Sequence, residues 1–396
     1  MKRRFTLAVV GVLALGAAIS VIFRWFGLRE DEERARFERQ ETELVVSGPG
    51  DANIVLFKAG VALSAAAPVR EDGVPRSWLT PGNYFVQCTL SEKPRFFPVP
   101  IVGYRKGPDA NGRFVVTIRE SPHERPPLLV PGLSDYAYIP SGSFLMGDRA
   151  NPREPHYVWL TGYFINPFEA TNAEFRMFMA DPGGYSDDEN WCEYGKKWKI
   201  SNPSHATALL KQGDADYDKS GRDDLPVLWV TWFEANAYCR WLTKSIGGRR
   251  WLFSLPTDAE WEKAARGPDN FDYALGMSIS DAEVNLYNWR KNPDAPVTVV
   301  GVSDSRRLYE PNRYGLYHMT GNANEWSQSV NRPYNREHPY VDDERNHDET
   351  SGQRSVRGGS WYSASIAYLN IPYRDSFQPE HSNQEVGFRI VARMLP

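Results

Sequence analysis

Cysteine is scarce in this 396-residue chain: there are three, Cys88, Cys192 and Cys239, and none follows position 239. An odd number excludes complete internal pairing, so at least one thiol is free or bonded to another chain. Cys239 lies in "ANAYCRWL", where it shares a helical face with Ala235, Tyr238 and Leu242, and a buried inert thiol is expected. The seven histidines form no HxxxH or HExxH spacing, which excludes metalloprotease and zinc-finger readings. Excess basic charge is also missing. A net charge of -4 gives no electrostatic footprint for a nucleic-acid partner.

What is abundant is aromatic and turn-forming residue. Trp, Tyr and Phe make up 13% of the chain, beside 31 Gly and 29 Pro. Large flat side chains bury much area where regular structure is sparse, and Gly and Pro predict many turns and ordered loops. The length calls for two domains with linkers.

The first 28 residues look like a signal anchor. Lys2, Arg3 and Arg4 precede an uncharged apolar run over residues 5–23. As a helix this run spans roughly 28 Å, near the hydrocarbon thickness of a bilayer. Basic residues stay cytoplasmic, so a single-pass span with everything C-terminal on the extracytoplasmic, periplasmic side is expected. A cleaved signal peptide is the rival, but the run is long for one and no clean A-x-A site precedes a polar start. Residues 29–43, "REDEERARFERQETE", alternate charge with i,i+4 pairs such as Glu30–Arg34 and Glu32–Arg36 and predict a solvated helical stalk.

From 44 to 120 the apolar runs shorten to strand length in "NIVLFKAG", "GNYFVQCTL", "FFPVPIVGY" and "RFVVTIRE", separated by Pro, Gly and Asp. This spacing predicts a small antiparallel β-sandwich. "LTPGNYFVQC" resembles the turn and strand of PEGA-type modules, and no titratable cluster marks the segment as catalytic. Four prolines in residues 121–132 make the stretch up to 134 a stiff linker.

Three helices are predicted beyond it. "EATNAEFRMFM" has Thr171 or Asn172 as cap and Phe175 and Phe178 on one face; "TWFEANAYCRWLTK" offers Phe233, Ala237, Cys239, Trp241 and Leu242 for burial and stops at Gly247-Gly248; "PTDAEWEKAAR" has Thr257 and Glu260 spaced as a capping box. After residue 267 helical periodicity fades into turns and short strands. An α+β domain with few helices and much ordered loop over residues 135–396 follows.

Seven segments occur in order across that domain: "IPSGSFLMGD", "EPHYVWLTGYFINPFEATNAEFRMFM", "LPVLWVTWFEANAYCRWL", "FSLPTDAEWEKAAR", "NRYGLYHMTGNANEWS", "RGGSWYSA" and "VGFRIVA". Together they resemble the formylglycine-generating enzyme family, the sulfatase-modifying factor domain. The resemblance implies a C-type-lectin-like fold. It also implies that two cysteines shortly after "GGS" would bind copper(I) and attack a substrate cysteine with oxygen, chemistry that needs soft thiolates. Here Trp361, Tyr362, Ser363, Ala364 and Ser365 follow, so no copper is expected and the chain resembles a pseudoenzyme. Family relatives without these cysteines serve in siderophore tailoring, beside copper nitrite reductases, or as gliding and secretion subunits.

The resemblance also marks Arg374 and Arg389, in "PYRDS" and "GFRI". Trp361, Ser363 and Arg374 are the candidate ligand-binding residues, against the alternative of loop serines bonded to backbone and an arginine tying loops to carbonyls. Serine nucleophiles would need a base, and His318, His338, His347 and His381 stand in no serine-hydrolase context. The family's structural calcium sites map to Asn285 and Leu286, where Asp294 is a poor downstream ligand, and to Gly321, Ala323 and Glu325, with His318 at a position that calcium would want filled by oxygen. Asp214, Asp216 and Asp218 alternate in "GDADYDKSGRDD" and can converge on calcium, although Lys219 replaces the glycine of an EF-hand; a solvated acidic loop is the alternative.

Three functions are carried forward. The first is a binding or accessory subunit of a membrane or envelope protein complex. The second is a copper-independent tailoring enzyme acting on a small molecule or peptide. The third is a structural sleeve between membrane complexes.

Overall fold

A computed structural model describes residues 32–33, 35–47, 53–58, 67–68, 76–89, 94–101, 107, 109–111, 113–118, 136–150, 155–205, 223–248, 250–280, 283–284, 309–333 and 352–395. The apolar run at 5–23, the proline linker, the acidic loop of Asp214 to Asp218, and Asn285, Leu286 and Asp294 lie outside these residues. Among the described residues no helix is long and apolar enough to cross a membrane.

Contacts divide the chain into two compact units whose boundaries cross the 44–120 segment. The first comprises Met1–Ser47, Glu71–Gly82 and Ile101–Val116. Its sheet has the order β4-β1-β7, built from β1 (Thr42–Ser47), β4 (Arg76–Leu79) and β7 (Phe114–Thr117). Helical turns at 32–33 and 35–38 precede it, with Arg36 over the Trp78 ring at 4.1 Å. The strand starts at Thr42, inside the stretch expected to be helical stalk. Thr42, Leu44, Val45 and Val46 are buried, and that run favours an extended backbone over the helix that the charges before it support.

The second unit comprises Gly48–Arg70, Asn83–Pro100 and Thr117–Pro396. It contains a four-stranded sheet in the order β3-β2-β5-β6, from β2 (Asn53–Lys58), β3 (Ala67–Pro68), β5 (Gly82–Thr89) and β6 (Arg95–Ile101). The strands of β2 and β5 pair antiparallel as expected. This sheet is bonded to the rest of its unit: Tyr314 Oη donates to Phe96 O at 3.1 Å, Tyr157 Oη to Pro100 O at 2.7 Å, and Arg149 Nη2 to Asn83 Oδ1 at 3.1 Å.

Few helices and many short strands make the remainder α+β. The hairpin of β9 (Gly142–Met146) and β10 (His156–Leu160) stands beside two four-stranded sheets. One has the order β12-β17-β11-β8, from β8 (Ala137–Ile139), β11 (Tyr163–Ile165), β12 (Trp251–Ser254) and β17 (Val391–Met394). The other, β15-β14-β13-β16, comes from β13 (Asn324–Val330), β14 (Arg354–Arg357), β15 (Asp375–Phe377) and β16 (Val386–Phe388).

The three expected helices are present, each opened by a Thr-x-x-Glu capping box: Thr171 and Glu174 for α1 (Asn172–Ala180), Thr231 and Glu234 for α3 (Trp232–Leu242), Thr257 and Glu260 for α4 (Asp258–Arg266). Each box satisfies amide donors at the helix start that would otherwise be orphaned. A fourth helix, α2 (Glu193–Ser201), was not predicted. Its charged sequence and internal Gly195 weaken the periodic signal, and its cap is the Cys192 thiol, which accepts from Gly195 N at 3.4 Å. One hydrophobic core gathers α1 and α3 around Phe175, Phe178, Trp232, Tyr238 and Phe388; a second gathers α4 under β9 and β10 with Trp261, Phe144 and Val158.

Candidate functional site

The site is built where one end of the β13 sheet meets three turns. Asn324 pairs with Val386 in parallel register and Glu325 with Arg357 in antiparallel register, which places residues 318–323, 358–363 and 383–385 side by side. The turns need left-handed backbone. Gly321, Gly358 and Gly359 hold φ of +84°, +91° and +70°, and a Cβ on Gly359 would stand 2.3 Å from Leu369 Cδ2. Gly321 N donates to Gly358 O at 2.8 Å and Trp361 N to Asn322 O at 2.9 Å, closing two turns on each other.

Within the 360–363 turn the serines hold the loop. Ser360 N donates to Ser363 Oγ at 2.9 Å, Tyr362 N to Ser360 Oγ at 3.2 Å, and Ser360 Oγ to Glu385 Oε2 at 2.7 Å. Trp361 is buried and its Nε1 donates to Gln384 O at 3.1 Å. Trp361 and Ser363 therefore do come together in one turn. Arg374 is turned toward the start of α4: its Nη1 donates to Arg332 O at 3.0 Å and lies 3.5 Å from Asp258 Oδ2. His381 stacks on Phe377 with ring centroids 4.3 Å apart.

Behind the turns lies a fully buried charge network. Arg389 Nη2 donates to Glu325 Oε1 at 2.8 Å and its Nε to Glu325 Oε2 at 3.0 Å, while Trp261 Nε1 donates to Glu325 Oε2 at 2.8 Å. Arg389 also reaches Asn166 O and Tyr317 O, at 2.9 and 2.8 Å. Glu169, buried beside it, has His318 Nδ1 at 3.0 Å and accepts from Asn322 Nδ2 at 2.7 Å. Burial pushes Glu169 up, but His318 and Arg389 outweigh it and hold the carboxyl below its ordinary value. Burial also pushes Glu325 up, and there Arg389 offsets it only in part, so its carboxyl titrates above the ordinary range.

This donor set does not suit calcium, which takes six to eight oxygens. The Glu325 oxygens are engaged by Arg389 and Trp261, and His318 brings an imidazole whose Nε2 is buried without a partner. Among the described residues no three His, Cys, Asp or Glu side chains converge as a metal set. Gly321 and Ala323 serve the turn and the start of β13. The turn after Gly359 offers copper(I) no thiolate either: Cys88, Cys192 and Cys239 are buried and form no disulfide, and burial pushes the Cys239 thiol well above its usual value.

Sequence reasoning missed Glu385, Glu169 and Trp229. Glu169 stood in "FEATN", just ahead of the α1 cap. Glu385 sits in a polar loop without periodicity, and nothing short of the β13–β16 pairing brings it to Ser360.

Residues 129–394 match the family profile described as the Sulfatase-modifying factor enzyme 1-like domain. The chain is 31% identical over 290 residues to a formylglycine-generating enzyme of Streptomyces coelicolor, covering 63% of this chain and 87% of that one. It is 28% identical over 284 residues to the inactive C-alpha-formylglycine-generating enzyme 2 of Mus musculus, covering 64% of this chain and 83% of that one. Among solved structures it is similar to Treponema denticola variable protein 1, at 22% identity and a TM-score of 0.47, over 65% of this chain and 94% of that one.

Proposed function

Because the chain belongs to the formylglycine-generating enzyme family through the sulfatase-modifying factor enzyme 1-like domain at residues 129–394, we propose that it keeps this fold for binding, as a membrane-anchored, extracytoplasmic accessory subunit of an envelope protein complex. One observation carries the reading. No cysteine follows position 239, and the turn after Gly358-Gly359 holds serines whose hydroxyls are engaged, Ser363 within the turn and Ser360 by Glu385. A hydroxyl neither binds copper(I) nor supplies a thiolate at neutral pH. The mouse relative named as inactive supports a fold retained without that activity. The basic and apolar N-terminus supports the anchored placement.

The calcium expectation at Gly321, Ala323 and Glu325 is not carried into this proposal, because Arg389 and Trp261 already engage the Glu325 oxygens. A copper-independent tailoring enzyme would need a base beside Ser363, whose Oγ instead accepts from Ser360 N. The other hydroxyl, on Ser360, does meet a carboxylate, but Ser360 is fully buried and cannot present its oxygen to a substrate.

Extraction from native membranes in mild detergent, followed by native mass measurement, tests the reading. A stoichiometric larger assembly is expected. A lone chain that turns over a small molecule would overturn it in favour of the tailoring enzyme.

A further inference from the structure

Three consecutive residues of the loop before β16 seat two separate parts of the chain, the segment at Trp229 and the turn of Ser360 and Trp361. Asn383 O accepts from Trp229 N at 2.9 Å, Gln384 O from Trp361 Nε1 at 3.1 Å, and Glu385 Oε2 from Ser360 Oγ at 2.7 Å. The loop is itself pinned, because Glu385 N donates to Asn383 Oδ1 at 2.9 Å and Asn324 N to Glu385 O at 2.7 Å. Glu385 is thus a half-buried carboxylate on a rigid support, and its second oxygen has no hydrogen-bond partner among the described residues.

Exposed aromatic residues stand on both segments tied to this loop, Trp229 through its amide to Asn383 O and Tyr362 through its amide to the Ser360 Oγ that Glu385 holds. Trp361 is buried at the base, while Tyr362 and Trp229 are 44% and 42% exposed. Trp229 holds φ +62°, a left-handed conformation that is strained for so large a residue and that persists only where its surroundings enforce it. Its amide is fixed to Asn383 O, yet its indole makes no ring contact or hydrogen bond with the described residues. A core role does not explain a strained, exposed and unstacked tryptophan.

A carboxylate with a free oxygen, on a loop tied to exposed aromatic residues, is suited to an organic cation, through a charge-assisted hydrogen bond and cation–π attraction. The sequence of this stretch is acidic. Asp375, Glu380 and Glu385 are the acids of the 360–385 stretch, whereas its one arginine, Arg374, is committed to Asp258 and Arg332 O.

We propose that Glu385, flanked by Trp229 and Tyr362, receives an arginine or lysine side chain of a partner protein. The identity of the occupant rests on the accessory-subunit reading; the cation site rests on the loop geometry. Arginine is the better fit, because a planar guanidinium stacks on a ring while it meets a carboxylate edge-on.

The test uses the full chain in detergent and a dye-labelled Gly-Arg-Gly amide, with Gly-citrulline-Gly amide as the uncharged isostere, followed by fluorescence anisotropy. The arginine peptide is expected to bind at least about tenfold more tightly than the citrulline peptide, and E385Q to remove about that factor. W229A, at an exposed position, is expected to weaken binding several-fold while leaving the thermal transition in place. Equal binding of the two peptides, or an unchanged affinity in E385Q, overturns the site. Tighter binding of spermidine than of the arginine peptide overturns the assignment to a partner protein in favour of a small amine. An assembly that copurifies undiminished with E385Q removes this site and leaves the accessory reading standing. Peptide binding by a chain that copurifies with nothing does the reverse.

Discussion

Two helices begin alike and are buried by opposite means. α3 and α4 each open with a Thr-x-x-Glu capping box and lie almost wholly inside the second unit. α3 contributes Trp232, Phe233, Tyr238, Cys239 and Trp241 to an aromatic core, where Phe175 and Tyr238 stack at 6.0 Å and Tyr238 and Phe388 meet edge-on at 5.4 Å. α4 has all nine residues buried, and five of them are charged: Asp258, Glu260, Glu262, Lys263 and Arg266. Each of those five finds a designated partner. Asp258 accepts from Ser327 and Ser355 hydroxyls at 3.0 Å, Glu260 pairs with Arg393, Glu262 with Arg266 and Arg357, and Lys263 Nζ donates to Pro140 O at 2.7 Å. Apolar surface enters a core without specific partners, whereas a charge enters only when counter-charge and hydrogen bonds await it. α3 can therefore tolerate repacking that α4 cannot.

The sharpest break of this comparison is in α4. Glu262→Ala takes from buried Arg357 its Glu262 carboxylate and leaves Arg266 with the Asp272 carboxylate alone, and is expected to cost about 3–5 kcal/mol in urea unfolding, enough to unfold a marginal domain. Substituting Met for both Glu262 and Arg357 should cost clearly less than the sum of the single changes, because no orphan charge remains from that pair. Phe175→Ala in the aromatic core is expected to cost about 3–4 kcal/mol through lost burial and a cavity, with Phe175→Leu recovering most of it. An unrecovered loss in the Leu variant would show that α3's core is as exacting as α4's.

A smaller effect is expected at the caps. Thr231→Ala and Thr257→Ala should each cost about 1 kcal/mol. Glu260→Ala should exceed Thr257→Ala, since Glu260 also holds Arg393. The smallest effect is in pH. Burial pushes Glu262 up, but Arg266 and Arg357 outweigh it and leave its carboxyl below the ordinary value. A depressed carboxyl adds stability that is complete above its unfolded pKa, about 4.3, and lost as pH falls through the lower folded value. Urea midpoints below pH 5 should therefore fall less steeply with acid in Glu262→Gln than in the parent; parallel slopes would refute that role.

Much of this was legible beforehand. The three capping boxes were readable as Thr-x-x-Glu ahead of periodic runs, and Phe175, Phe178 and Trp241 fell on the expected inner faces. The ordered motifs pointed to the family before any coordinates. α2 escaped because its cap is a thiol and its faces carry little periodicity. The calcium expectation at Gly321, Ala323 and Glu325 met a carboxylate already engaged by an arginine 64 residues away. Trp361 and Ser363 were placed in one turn, while Arg374 was drawn to the Asp258 end of α4.

The sequence by itself determined the helix starts, the turn glycines, the missing thiols and the family, because each is written in neighbouring residues or in their order. Only the tertiary structure decided which distant residues neutralise the charges of α4, Arg357 and Arg393 among them, and that Glu385 meets Ser360. Those partners lie far apart along the chain, and only the strand pairing of β13 with β14 and β16 brings the turns at the site together.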